Sequence, residues 1–134
     1  MLIPLAAVIA VADGERLRLF RNAGTDAAPK LESMPEVSPS GDNKGAGVRH
    51  PSSAANPNDS QLEEDSFAAA TAAWLNHEAQ AGRIKDLVVI AAPRTLGELR
   101  KHYHKTVSEG LRHELAKDLT GHSATDIQAA LVGA

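Results

Sequence analysis

The chain has six histidines and no cysteine among its 134 residues, so any chemistry it performs must come from imidazoles, carboxylates, hydroxyls and basic side chains. The missing thiols exclude disulfides, thiolate metal sites and cysteine nucleophiles together. Histidine ligation then depends on spacing. His102 and His104 are two apart, which on a helix separates them by roughly 200° and prevents joint ligation there. His113-Glu114 opens like a zinc-protease motif, but Lys117 stands where the second histidine would be. The pattern predicts no metal. The stretch GDNKGAG at 41–47 is not a phosphate-binding P-loop, because Lys44 precedes the last two glycines and no Ser or Thr follows it. No G-x-S-x-G elbow is present, and His122-Ser123 reads as a turn followed by a helix cap. With no nucleophile beside a base, the sequence predicts neither catalytic residues nor a cofactor.

Basic residues offer a second kind of chemistry. Lys44, Arg49 and His50 flank Gly45-Ala46-Gly47, whose backbone can approach a phosphate and make an anion or RNA contact. The competing account is a surface loop whose charges only solvate it. Arg94, Arg100 and Lys101 follow an apolar run that ends in APR, which places a guanidinium and helix N–H groups at the carboxyl edge of a sheet, where α/β proteins bind ligands. Alternatively, Arg94 pairs with Glu98 or Asp118 and only fixes the packing of strand ends. Lys117, beside Asp118, carries the same double reading. The net charge of −3 conceals a basic excess toward the C-terminus: residues 1–82 hold 6 basic and 11 acidic side chains, residues 83–134 hold 8 and 6. A solvated mixed face is the commoner cause of such a drift.

Positioning these groups falls to one domain spanning 1–134, with enough apolar material, 43% of residues, to close a core. Aromatics are only 3%, so Val, Leu, Ile and Ala must build that core around Phe20, Phe67, Trp74 and Tyr103. MLIPLAAVIAVA has no basic residue ahead of its apolar run and meets Asp13 well short of the roughly 18 residues of a membrane helix. It reads as a buried strand of a cytoplasmic protein with no membrane contact.

Residues 5–12 suit a central strand covered on both faces, and Asp13-Gly14 is a two-residue hairpin signal. In ERLRLFRN, Leu17 and Leu19 point one way and Arg16, Arg18 and Phe20 the other, so one face is expected buried and the other mostly wet. KLESMPEV gives a third strand, confined to an edge or bulge by Pro35. Residues 38–59 form a long, mobile, glycine- and proline-rich loop. A helix follows, with Ser60-x-x-Glu63 as a capping box, Gly82 at its end, and Phe67, Ala70 and Trp74 as the face laid on the sheet. DLVVIAAP is a second buried strand, and strand, long helix, strand implies a crossover. Thr95-x-x-Glu98 is a second capping box before a helix with Leu96, Leu99 and Tyr103 as its stripe. Residues 107–120 fit both periods: Val107, Leu111, Leu115 and Leu119 recur every four residues, while Leu111, His113, Leu115 and Lys117 alternate. A short helix from Ser123 to Val132 turns Ile127, Ala130 and Leu131 inward.

ADGERLRLF (12–20), EEDSFAAATAAWL (63–75), LVVIAAPRTLGELRKHY (87–103) and HELAKDLTGHSATDIQ (113–128) together resemble the bacterial host attachment protein family, a bacterial branch of the archaeo-eukaryotic release-factor superfamily. Its domain is shared with peptide-chain release factors and Pelota-like proteins. APRTLGELR and ELAKDLT are the most distinctive of these stretches. The resemblance implies an α/β fold with a mixed five-stranded sheet, elements in the order β-β-β-loop-α-β-α-β-α, helices packed on the sheet, and a strand over roughly 107–118. In release factors the connection before the long helix carries Gly-Gly-Gln, whose glutamine acts at the peptidyl-tRNA ester. Here no glutamine follows Gly45-Ala46-Gly47 and Gln61 lies in the helix start, so hydrolysis is not expected. The expected function is a non-catalytic translation-factor-like module with ribosomal RNA or tRNA as partner. The family's name adds a rival: attachment of bacteria to host cells or surfaces, acting indirectly from inside the cell.

Overall fold

The computed structural model describes residues 3–35, 37 and 59–133. Along the chain run β1 (Val8–Ala12), β2 (Leu17–Asn22), β3 (Leu31–Ser33), α1 (Asp59–Gln80), β4 (Leu87–Ala91), α2 (Pro93–Arg100), α3 (Lys105–Gly110), β5 (Leu111–Leu115) and α4 (Ala124–Val132). The five strands form one mixed sheet in the order β3-β2-β1-β4-β5. β2 is antiparallel to both β1 and β3, whereas β4 runs parallel to β1 and β5 parallel to β4. The fold is α/β.

The two uninterrupted apolar runs are the central parallel strands, because only a strand covered on both faces can be apolar at every position. All five residues of β1 and of β4 are buried. Strand alternation sends Val8, Ala10, Ala12, Leu87, Val89 and Ala91 to one face, under α1, α2 and α3, and sends Ile9, Val11, Val88 and Ile90 to the other, under α4 and Ile3. Two clusters, one on each side of the sheet, therefore make the core. Phe20 is buried in the second with Ile127 and Leu131, so the outer face of β2 is not wet as its alternation suggested. The helix that covers it lies about a hundred residues downstream.

On α1 the sheet-facing stripe is Ala68, Ala72, Leu75 and Ala79, while Phe67 and Trp74 lie only partly buried on its flank and Ala70 stands outside it. Small side chains let the helix lie close to the sheet and push the aromatic rings aside, so the expected face is rotated by one residue. The helix already contains Asp59 and Ser60, so Ser60 is not at the cap position and residue 59 is helical. Residues 38–58 lie outside the described residues. At the far end Gly82 adopts φ +82, Arg83 N–H reaches Glu78 O at 3.0 Å and Gly82 N–H reaches Ala79 O at 3.1 Å. This is a Schellman closure, fastened by Arg83 Nε and Nη2, each donating to a Glu78 carboxylate oxygen at 2.8 Å.

Three further expectations are corrected. α2 starts with Pro93 at its first position and Ala92 as N-cap, without a side-chain cap. Thr95 is thus inside the helix, because the fixed φ of proline sets the start three residues earlier. The strand expected over 107–118 is shorter, Leu111–Leu115, and residues 105–110 are helical. The four-residue and two-residue periods coincide at Leu111 and Leu115, which hides the junction between the two elements. Finally, the β1–β2 turn is closed by side chain rather than by a left-handed glycine. Asp13 Oδ1 accepts the N–H groups of Glu15 at 2.7 Å and Arg16 at 2.6 Å, and Gly14 is not among the positive-φ residues. Gly14 meets another constraint: a Cβ there would run into the Glu64 side chain.

At the end of β2, where Asn22 pairs with Leu31 of β3, the fully buried Asn22 side chain ties the connection together. Its Nδ2 donates to the carbonyls of Ile3 at 3.0 Å, Thr25 at 3.1 Å and Pro4 at 3.3 Å, and its Oδ1 accepts from Gly24 N at 2.9 Å and Lys30 N at 3.0 Å. At the opposite edge the β4–β5 register shifts between Leu87 and Val88, pairing them with Leu111 and His113. Arg112 bulges out and donates to Asp86 Oδ1 at 2.7 Å. No helix among the described residues is long and apolar enough to cross a membrane.

Candidate functional site

β1, β4 and β5 are parallel neighbours, so their carboxyl ends lie side by side. The chain leaves them through Asp13–Arg16, through Ala92-Pro93-Arg94, and through Ala116-Lys117-Asp118. The first turns of α1 reach the same edge, with Glu64 against Gly14 and Asp65 against Arg94. Each of the three exits carries a basic side chain: Arg16, Arg94 and Lys117.

Their partners differ in strength. Arg94 Nη2 stands 3.5 and 3.4 Å from the two Asp65 oxygens, and its side chain is 60% exposed. The partner is therefore neither Glu98 nor Asp118 but an acid 29 positions earlier, brought over by the crossover. The first turn of α2 beside it has no side-chain cap, which leaves the positive end of that helix facing the edge. Arg16 Nε lies 4.0 Å from Asp13 Oδ2 with its side chain 53% exposed. Lys117 is exposed, and no carboxylate among the described residues pairs with it.

Arg100 and Lys101 are arranged differently. Arg100 holds Glu114 through Nη2 at 2.6 Å and Nε at 3.1 Å, and this hydrogen bond pushes the guanidinium up from its ordinary value. Lys101 Nζ reaches Glu98 Oε1 at 3.1 Å and His102 Nε2 reaches Glu98 Oε2 at 3.5 Å. The Lys101 hydrogen bond, followed by opposing desolvation and then the Lys101 charge and His102, holds the Glu98 carboxyl below its ordinary value. These residues tie α2 to β5 and close the end of α2. The structure thus brings Arg94 and Lys117 to one edge and sets Arg100 and Lys101 about 9 Å further along the helix. Lys44, Arg49 and His50 lie outside the described residues.

His102 and His104 do not share a helix. His102 follows α2, and His104 is the N-cap of α3, with Nδ1 accepting the Thr106 N–H at 3.1 Å. Asn76 of α1 latches the link between them, accepting from His104 N at 2.8 Å and donating to His102 O at 2.9 Å. Ser123 caps α4, accepting from Asp126 N at 3.1 Å, as its place before the helix suggested.

Sequence reasoning missed the polar centre behind this edge. Buried Thr120 donates its hydroxyl to Asp13 Oδ2 at 2.6 Å and lies 3.2 Å from Asp118 Oδ1. Arg18 Nη1 binds the carbonyls of Thr120 at 2.8 Å and His122 at 2.6 Å. The exit of β1, the strand β2 and the 116–123 connection are thereby fixed together, and with them the position of Lys117. Asp13 at a hairpin was legible, but nothing local marks a partner 107 positions away.

No curated protein matches the chain. The model of bacterial archaeo-eukaryotic release factor family 12 matches residues 6–131, which takes in the whole sheet, the crossover and the carboxyl edge. The chain belongs to that bacterial release-factor-like family and is, at this level, a translation-factor-like module.

Proposed function

We propose that the chain is a non-catalytic binding module that contacts ribosomal RNA or tRNA through the carboxyl edge of its sheet. The observation that carries this reading is the row of Arg16, Arg94 and Lys117 on the exits of three adjacent parallel strands, beside an uncapped helix N-terminus. Phosphates are recognised by such a combination of exposed cations and helix dipole. Membership of a release-factor-like family supports a polyanionic partner. The sequence before α1 adds Lys44, Arg49 and His50, and lacks the glutamine that the hydrolytic relatives place after their glycines, which supports binding without ester cleavage.

The test is co-sedimentation with ribosomes and gel-shift of tRNA across a salt series. Affinity is expected to fall linearly on a log–log plot. Arg94→Ala and Lys117→Ala are each expected to lower the slope by about 0.7 to 0.9, and Lys44→Ala or Arg49→Ala to do the same. Arg100→Ala should leave the slope unchanged, because that guanidinium is committed to Glu114. Absence of binding by folded protein at low salt would overturn the reading. Recovery of the protein at the cell surface, without ribosome association, would turn it toward host attachment.

A further inference from the structure

A half-buried guanidinium is ordinarily matched by a carboxylate, since an unpaired charge loses hydration without compensation. Arg18 breaks this rule. Its guanidinium lies 5.1 Å above the centre of the Phe20 ring, and its Nη1 donates to two carbonyls. Among the described residues, the three N–H bonds on Nε and Nη2, of the five an arginine has, meet no acceptor and no acid pairs with the side chain. Arg83, Arg94, Arg100 and Arg112 all have one. Arg18 also lines an open cleft of about 240 Å³ with Leu19, Phe20, Ser33 and Met34. The cleft lies where β2 extends beyond the three-residue β3.

We infer that this cleft binds a small organic carboxylate, held bidentate on the free Nε/Nη2 fork of Arg18. The fork presents two parallel N–H bonds that match a carboxylate better than a point cation does. Ser33, exposed at the rim, offers a hydroxyl, while the partly buried Met34 gives the acid's carbon body an apolar wall. That wall favours an organic acid over inorganic phosphate. The site is separate from Arg16, Arg94 and Lys117, and its occupancy does not depend on nucleic acid.

The Arg18 Nε–H resonance, followed by NMR during titration with acetate, butyrate and inorganic phosphate, tests the inference. A saturable shift confined to Arg18 is expected with acetate, tightening about fourfold for each methylene that butyrate buries. Phosphate should bind more weakly than butyrate. Ser33→Glu, at an exposed position, supplies a carboxylate from the chain itself and is expected to abolish the acetate response while leaving the protein folded. Equal small shifts at every arginine, tighter binding of phosphate than of butyrate, or an acetate response unchanged in Ser33→Glu would each overturn it.

Discussion

Thr120 Oγ1 donates to Asp13 Oδ2 at 2.6 Å across 107 positions of sequence, and this contact is the foremost of those that favour the Asp13 carboxylate. Burial alone would push the Asp13 carboxyl up. The Thr120 hydroxyl, the amides of Glu15 and Arg16 and the Arg16 charge outweigh that and hold it below its ordinary 3.8. A carboxyl depressed in the folded state contributes stability that is present above its unfolded value and lost as pH falls through the folded one. Thr120→Val removes the largest of the lowering contacts and keeps the burial. The Asp13 titration, read by carboxyl-carbon NMR, is expected to move up, and acid unfolding to begin at higher pH. At pH 7 the loss should be about 1 to 2 kcal/mol. An unmoved Asp13 titration in the valine variant would show that the hydroxyl does not favour the carboxylate.

Asn22 is the buried joint of the β2–β3 connection, donating to three carbonyls and accepting from two amides. Asn22→Asp keeps the shape but turns the donor into a second acceptor facing those carbonyls. Its cost at neutral pH is expected to be about 3 kcal/mol, roughly 10 °C in Tm for a domain of this size. Thermal melts should show part of the loss recovered in acid, where the protonated carboxyl can donate once. A penalty independent of pH would rule out this explanation.

Two glycines separate backbone strain from crowding. Gly82 has φ +82 and Gly121 has no positive φ, yet a Cβ at either would meet nothing within 4 Å. Gly82→Ala is expected to cost about 1 to 2 kcal/mol, because only the left-handed conformation penalises it. Gly121→Ala should be neutral or stabilising by up to about 1 kcal/mol through the unfolded chain. Urea denaturation of both variants checks the contrast, and equal effects would refute it.

The Tyr103 hydroxyl is buried with no hydrogen-bond partner among the described residues. Burial, with the Glu114 charge, pushes the phenol well above its ordinary 10.0. Tyr103→Phe removes a stranded polar group and keeps the ring in place, so stability is expected to rise by about 1 kcal/mol. A drop of that size in denaturant melts would mean that the hydroxyl is satisfied in solution.

Much of the fold was legible because the physics behind it is local. VIAVA and LVVIA are apolar at every position and became the two fully covered strands. Gly82 and Ser123 ended and began helices where their backbone and side-chain chemistry required. What could not be read depends on distant partners or coincident signals. Phe20 is buried by a helix more than a hundred positions away. Alanine carries too little hydrophobic signal to reveal that the 68/72/75/79 stripe, not the aromatic one, lies on the sheet. At the candidate site, the strand-to-helix pattern put Arg94 at the carboxyl end of its strand, where the structure has it, while Lys117 was left with two readings. The Asp65 partner of Arg94 and the Thr120 centre were hidden, because the crossover and the last connection supply them.

The central position of β1 has a consequence for how the protein is made. One side of VIAVA is satisfied at once by β2, but the other pairs with β4, where Val8 meets Leu87. Between the completion of β2 and that of β4 a ribosome must add about 70 residues, roughly 4 to 14 s at ~5–20 residues per second. Throughout that interval a nascent hairpin carries a fully apolar strand with one edge unsatisfied, the form of chain most prone to pair with a neighbour. Chaperone demand during synthesis should therefore peak before Leu87–Ala91 leaves the exit tunnel and fall once the parallel pairing closes.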